Sequence, residues 1–356
     1  MQQTDFARTL IDWYQRHRRE LPWRDTVDPY KIWLSEIILQ QTRVAQGLPY
    51  YLRFLEAFPD VHRLAAAPIG AVLRLWQGLG YYSRARNLHA CARAVVEKHG
   101  GQFPCHFEAL KSLPGIGPYT AAAVASFAFK QPVAVVDGNV FRVLARIFGF
   151  EQDTAAPAAR AFFFEKANAL LDPQHPELFN QALMEFGALH CTPRNPGCAD
   201  CVFQTRCLAH RYNLQQTLPV KGKKQKVRHR HFNYLVLNWK KKLLMHTRDA
   251  PDIWRGLNEF WLVETRRAVG WDGLRPHLLK LPAAATNGNP VSCHDFRHLL
   301  SHQVLHIRFY QLELKKEWKK LPPGFRWHTA RSVDQLAKPI ILTRYLETIG
   351  YLKASA

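Results

Sequence analysis

Residues 113–127, LPGIGPYTAAAVASF, read as the end of one helix, a tight glycine turn and the start of another. Gly115 and Gly117 permit positive φ and leave backbone N–H groups uncovered. The amino end of the second helix adds a partial positive charge, so the turn suits a phosphate without preference for sequence. An ordinary helical hairpin would look similar. The same helical spacing of apolar residues recurs on both sides, in TLIDWYQRH, YKIWLSEIILQQ, APIGAVLRLWQGL, ARNLHACARAVVEKHG, GNVFRVLARIFGF and LFNQALMEFGALHC. Short breaks such as LPWRDTVDP and GGQFP separate them. Residues 1 to about 214 are therefore expected to be all-α.

The pattern changes further along. Residues 215–230 are expected to be a linker, and KGKKQKVRHR within them is strongly basic. Beyond it HFNYLVLNW, KLLMHTR, NEFWLVE and QVLHIRFYQLEL read as strands. A helical stretch is expected near Gly273–Lys280, and ARSVDQLAKPIILTRYLETIGYL reads as a closing helix. Residues 231–356 thus form a second, α+β domain, and 356 residues agree with two domains.

Composition narrows the partners. Hydrophobic residues are 47 % of the chain, which excludes global disorder. No run approaches the roughly 18 apolar residues of a membrane span. The opening MQQTDFARTLIDWYQ lacks a secretory pattern, so a cytoplasmic, nucleoid-associated location is expected. Lys and Arg number 49 against 28 Asp and Glu, a net charge of +21 that favours nucleic acid over membrane.

Four of the seven cysteines crowd together as Cys191-x6-Cys198-x2-Cys201-x5-Cys207. Thiolates so close need a metal centre. A zinc site usually pairs two knuckles across a longer spacer. One knuckle with two flanking cysteines instead suits one 4Fe-4S cluster, with one thiolate per iron. The first loop of the run carries Arg194, placed to meet a DNA backbone.

Two carboxylates stand out. Glu36 is the one ionisable group in the apolar run IWLSEIILQQ, where it must be paired, solvated or kept protonated. A raised pKa is what a general acid near neutral pH requires. Asp137 in VAVVDGNVFRV ends an apolar run before a helix, a place that suits either a helix cap or a carboxylate facing a bound strand.

LPGIGPYT, VDGNV and the cysteine loop together resemble the endonuclease III superfamily of DNA base-excision glycosylases. LPWR at 21–24, WLSEIILQQT at 33–42, GLGYYSRARNL at 78–88 and FNQALMEFGALHC at 179–191 resemble its adenine DNA glycosylase branch. The likeness implies a mainly α N-terminal catalytic region with a helix-hairpin-helix glycosylase fold and an iron–sulfur loop. It divides residues 1–214 into a helical barrel of about 21–134 and an iron–sulfur module of 1–20 and 135–214. PDIWRGLNEFWLVE and the Ser-His of LLSHQ resemble the branch's Nudix-like lesion-recognition domain, smaller and α+β.

That resemblance implies removal of adenine opposite 8-oxoguanine or guanine in double-stranded DNA, by a monomer. It makes Glu36 the acid, Asp137 the stabiliser of the sugar cation, and Asn139 the residue that holds Asp137. Leu21, Trp23, Arg24 and Gln181 would line the adenine pocket. Gln41 and Tyr81 would fill and wedge the duplex, and Leu39 and Thr42 would lie near the 8-oxoguanine. Ser301 and His302 would read the lesion edge, although Leu300 replaces the branch's usual Phe and His302 also suits a surface strand. Lyase-competent relatives carry a hairpin lysine where this chain has Tyr119, so a monofunctional enzyme is expected, with Tyr119 buttressing Glu36 and Asp137. A bifunctional endonuclease III-like glycosylase/lyase is the alternative. The hydrolytic Nudix box is absent after Gly256, so no nucleotide hydrolysis is expected.

Overall fold

The computed structural model describes residues 3–154, 156–220, 222, 227–278, 281 and 289–353. The chain divides into two compact units, residues 1–66 with 87–223 and residues 67–86 with 224–356. The helices up to the basic stretch are α1 (Gln3–His17), α2 (Pro29–Leu39), α3 (Val44–Ala57), α4 (Val61–Ala66), α5 (Ile69–Leu75), α6 (Ser83–His99), α7 (Phe107–Lys111), α8 (Pro118–Phe129), α9 (Gly138–Phe148), α10 (Pro157–Leu170), α11 (Pro176–Leu189) and α12 (Leu208–Arg211).

In the first unit, local chemistry sets the helix ends that matter. Asp28 caps α2 by accepting from Tyr30 N, with Pro29 at the first helical position. Asp137 caps α9, which ends at Gly149 in the left-handed conformation. One core gathers Phe6, Trp13, Tyr14, Phe163, Phe179, Phe186 and Phe203, so chain from the N-terminal helix packs on α9–α11 and the cysteine loop. Truncating one such aromatic would cost roughly 3–5 kcal/mol. Elsewhere α2 packs on α8.

The hairpin turn departs from expectation at one glycine. Gly115 takes φ +73°, and a Cβ there would meet Asn87 at 2.5 Å. Gly117 sits at φ −86°, ψ 175° with open space around it. Only the first glycine is required by backbone conformation; the second caps α8, where most residues could stand.

The second unit is built on a mixed sheet of β1 (Arg228–Trp239), β2 (Lys242–Thr247), β3 (Asn258–Glu259), β4 (Trp261–Thr265), β5 (Ser292–Leu299), β6 (Gln303–Glu313) and β7 (Arg326–His328). Its order is β3-β2-β1-β6-β5, with β4 on β1 and β7 on β2. β1 is central and runs parallel to β6, from Arg228 opposite Gln303 to Asn238 opposite Glu313. α13 (Trp271–Leu274) and the following 3₁₀ turn supply Leu274 and Leu278 to a core on one face. On the other face Tyr345 of α15 (Ile340–Thr348) stacks on Phe309 at 4.1 Å. The helix α14 (Ala330–Gln335) precedes it.

Several details differ from the sequence reading. The closing helix is two, because Pro339 cannot continue the first and starts the second. The stretch expected at Gly273–Lys280 is a short helix plus a 3₁₀ turn, and its last two residues lie outside the described ones. β5 was not expected at all. Strand β1 opens at Arg228, inside the stretch read as linker, of which residues 221 and 223–226 lie outside the described ones. Residues 67–86, read as part of the helical barrel, group with the C-terminal residues. Gln77 donates to Thr343 Oγ1 at 2.9 Å and Arg86 donates to the Arg255 carbonyl at 2.7 Å, which gives that grouping its polar contacts.

Candidate active site

α2, α8, α9 and α11 of the first unit surround a cavity of about 430 Å³. Glu36, Tyr119, Asp137 and Asn139 all line it, with Leu21, Trp23, Arg24, Leu39, Thr42 and Gln181. Gln41 is exposed, at φ +56°. In the second unit Tyr81 is 42 % exposed, at φ +47°. Ser301 and His302 form the exposed turn between β5 and β6. Arg194 is exposed in the loop between Cys191 and Cys198.

Glu36 is buried on α2 and receives the Tyr119 hydroxyl at 2.7 Å. Burial pushes its carboxyl up to about 7, opposed in part by that hydrogen bond. The Tyr119 proton goes to Glu36, so its link to Asp137 is electrostatic. Asp137 accepts from Asn139 N, Val140 N and Asn139 Nδ2 at 2.9, 2.8 and 2.7 Å. Burial raises its carboxyl, and these donors offset part of the rise. Asp137 is thus a helix cap and a cavity carboxylate at once.

The same cavity is lined by three residues that the sequence reading passed over, Arg19, Arg142 and Glu185. Glu185 of α11 is buried and accepts from Arg19 and Arg24, each through two side-chain nitrogens at 2.6–2.9 Å. Burial alone would raise its carboxyl; the two guanidinium groups hold it at about 2. Gln181 accepts the Tyr14 hydroxyl at 2.7 Å. Arg142 donates to Asn139 Oδ1, Gly187 O and Cys191 O, tying the Asp137 clamp to the cysteine loop. Glu185 is a lone acid in the apolar stretch ALMEFGAL, the same signal that marked Glu36.

Cys191, Cys198, Cys201 and Cys207 line one small cavity with Phe186 and Phe203. Among the described residues no three His, Cys, Asp or Glu side chains gather closely enough for a single metal ion. The thiols ring a space instead, which is what a multi-iron centre needs because each sulfur binds a different iron. Donors already face them: Arg146 Nη1 lies 3.3 Å from Cys191 Sγ and Phe203 N lies 3.4 Å from Cys201 Sγ. Buried His190 Nε2, His210 Nδ1 and Gln215 Oε1 in the same wall have no partner among the described residues. The donor set fits an iron–sulfur cluster.

A helical fold with a glycine hairpin, a cavity lined by the carboxylates Glu36, Asp137 and Glu185, and a thiol loop come together in the first unit. The pattern of HhH-GPD superfamily base excision DNA repair proteins matches residues 34–166. An adenine DNA glycosylase of Buchnera aphidicola subsp. Baizongia pistaciae is 33 % identical over 305 residues, covering 85 % of this chain and 84 % of the relative. The chain belongs to the adenine DNA glycosylase family. The adenine DNA glycosylase of Rattus norvegicus is 45 % identical over 216 residues, 58 % of this chain. The chain spans 42 % of the length of that relative. A thermostable thymine-DNA glycosylase of known structure superposes with TM-score 0.55 at 31 % identity, covering 59 % of this chain and 97 % of its own. An endonuclease III trapped on DNA superposes on 60 % of this chain and 99 % of its own at TM-score 0.52 and 21 % identity, a likeness of fold alone. No helix among the described residues is long and apolar enough to cross a membrane.

Proposed function

We propose that the chain is a monofunctional DNA glycosylase that hydrolyses the N-glycosidic bond of adenine opposite 8-oxoguanine or guanine. The observation that carries this is that Glu36, its carboxyl raised to about 7, and Asp137 line one open cavity. Adenine leaves C1′ poorly as an anion. Protonation of N7 by Glu36 makes it a neutral leaving group as the C1′–N9 electron pair moves to the base. Asp137 then faces the positive charge on the sugar, and water attacks C1′, its proton returning to the Glu36 carboxylate. The target base must first leave the stack, at a cost of a few kcal/mol that is smallest at a mispair.

Leu21, Trp23, Arg24 and Gln181 supply the walls for the base, with Leu39 and Thr42 near the orphaned partner. Gln41 and Tyr81, exposed at left-handed backbone positions, supply groups that fill and wedge the duplex. Gly115, Gly117 and Arg194 meet the phosphates. The C-terminal unit is read as a Nudix-like lesion-recognition domain that presents Ser301 and His302. A 4Fe-4S cluster held by Cys191, Cys198, Cys201 and Cys207 would fix the Arg194 loop as a rigid structural element. The protein is read as a monomer acting at the nucleoid.

Base release from duplexes with A opposite G, C, T and 8-oxoguanine tests the reading; release confined to the first and last supports it. The bifunctional alternative would form a Schiff base, so abundant borohydride-trapped adducts would overturn the monofunctional assignment. Tyr119 supplies no amine for that step.

A further inference from the structure

One end of the β1–β6–β5 sheet face is unlike the rest. Toward its far end the face is apolar and covered, with Leu235, Leu237, Tyr310 and Leu312 in the core beneath Leu274 and Leu278. At the near end it opens into a groove of about 390 Å³ lined by His231, Asn233, Asp295, Arg297, His306 and Arg308, with Ala268 and Val269 at its side. The register puts Arg297, His306 and His231 in one row across three strands. His229, two residues before His231, joins them.

The three imidazoles form a stack. His231 and His306 lie parallel at 4.8 Å between ring centres, and His229 and His306 at 5.3 Å. His229 Nδ1 is 3.0 Å from His306 Nε2, so one nitrogen holds a proton that the other accepts. Burial, then His306 and His229, push the His231 imidazole below its usual value. Without a counter-ion the stack disfavours more than one positive charge.

The charged groups around it are few. Asp295 of β5 is held by Arg308 of β6 through two nitrogens, so it is already neutralised. Asn233 of β1 is spent on Val263 O and Thr265 Oγ1 of β4. Arg308 also donates to the Val269 carbonyl at the groove's side. Among the described residues no carboxylate pairs with exposed Arg297. The groove therefore offers one fixed guanidinium and a proton-accepting stack, with no free negative charge. Arg228 N donates to the His302 carbonyl, so the Leu300–Ser301–His302 turn closes this same end of the sheet.

We infer that this groove is a phosphate site, in which His229, His231 and His306 take up a proton as the oxyanion binds beside Arg297. The phosphate is a phosphodiester of DNA or that of a free nucleotide. The DNA source rests on the reading that the 300–302 turn faces DNA. Binding strengthens as pH falls through the imidazole range and, as pH rises above it, falls back to what Arg297 alone supplies.

The test uses the full chain and a duplex with A opposite 8-oxoguanine, the adenosine sugar substituted to block cleavage. Affinity is measured by fluorescence anisotropy near pH 6 and near pH 8. His306→Gln is expected to weaken binding roughly 3–10-fold at the lower pH and to lower the salt slope by about one, with no loss at the higher pH. Arg297→Gln, at an exposed position that leaves the fold alone, is expected to weaken binding at both. Imidazole resonances of the wild-type chain are followed as inorganic phosphate, then deoxyadenosine monophosphate, is added. Shifts with these probes and unchanged DNA affinity assign the site to a free nucleotide. An equal loss at both pH values for His306→Gln, or no loss together with resonances that ignore phosphate, overturns the inference. Adenine release by the wild-type chain tests the earlier reading separately: no release with an intact phosphate response removes that reading and leaves this site standing.

Discussion

Glu36 on α2 and Glu185 on α11 line the same cavity, each a single acid on an otherwise apolar helical stretch, and their acidities shift in opposite directions. Burial raises both, so burial does not separate them. Their partners do. Glu36 has one neutral donor, Tyr119, which leaves the carboxyl at about 7. Glu185 has two guanidinium groups, which hold it at about 2. One acid can give up a proton near neutral pH; the other is a fixed anion that sets Arg24 in the cavity wall. A lone acid on an oily helix therefore marks a buried carboxylate, and its role is decided by residues far away in sequence.

The sharpest break in that comparison is Glu36→Gln. Losing the transferable proton should lower single-turnover adenine release by roughly 10²–10⁴-fold with little change in DNA affinity. Wild-type rates from Glu36→Gln would remove the acid from the mechanism. Glu185→Gln should instead show in stability. It leaves two cations around a neutral amide, and breaking a buried pair costs about 3–5 kcal/mol. Arg19 is 38 % exposed and recovers part of this through solvent, so a melting loss toward the lower end is expected. An unchanged melting temperature would mean that the Arg19–Arg24–Glu185 group holds nothing together.

The two acids should also give stability opposite pH dependences. The folded chain holds the Glu36 proton up to about pH 7, whereas an unfolded chain releases it near the usual carboxylate value. Stability from this group is complete at lower pH and is lost as pH rises toward 7, by roughly 3 kcal/mol. Glu185, held low, contributes above the ordinary carboxylate range and loses that contribution as pH falls toward 2. Melting curves of the wild type and Glu36→Gln between these limits separate the two: the variant should lose the upper slope and keep the lower. The same upper slope in both proteins would place the titration elsewhere.

Much of this was legible in the chain because it depends on near neighbours. The helical period, the glycine turn and the Asp137–Asn139 pair are local, and so is the cysteine spacing. The Arg19–Glu185 pair spans 166 residues, and nothing in either segment announces the other. Strand β5 was missed because it is an edge strand with polar groups on both faces: His294 and His298 flank Phe296 on one, Asp295 and Arg297 lie on the other. Alternation of hydrophobicity cannot be seen where neither face is fully apolar. The histidine row was hidden for the same reason, since His231 and His306 become neighbours only through the parallel β1–β6 register.

The smallest expected effect comes from Tyr119→Phe, and it probes the comparison most finely. Tyr119 donates to Glu36, which favours the ionised carboxyl and opposes the burial that raises it. Removing the hydroxyl leaves burial opposed only by the charge of Arg24, so the Glu36 carboxyl should titrate higher than about 7. The rate of base release, which needs the protonated acid, falls on the alkaline side as pH rises through that value. In Tyr119→Phe this alkaline limb should move to higher pH while the rate on the acid side drops only several-fold, from looser placement of the carboxyl. A purely structural tyrosine would lower the rate equally at every pH. A limb that moves to lower pH would mean that the hydroxyl stabilises the protonated acid, and Glu36 would then depend on a partner other than burial for its proton.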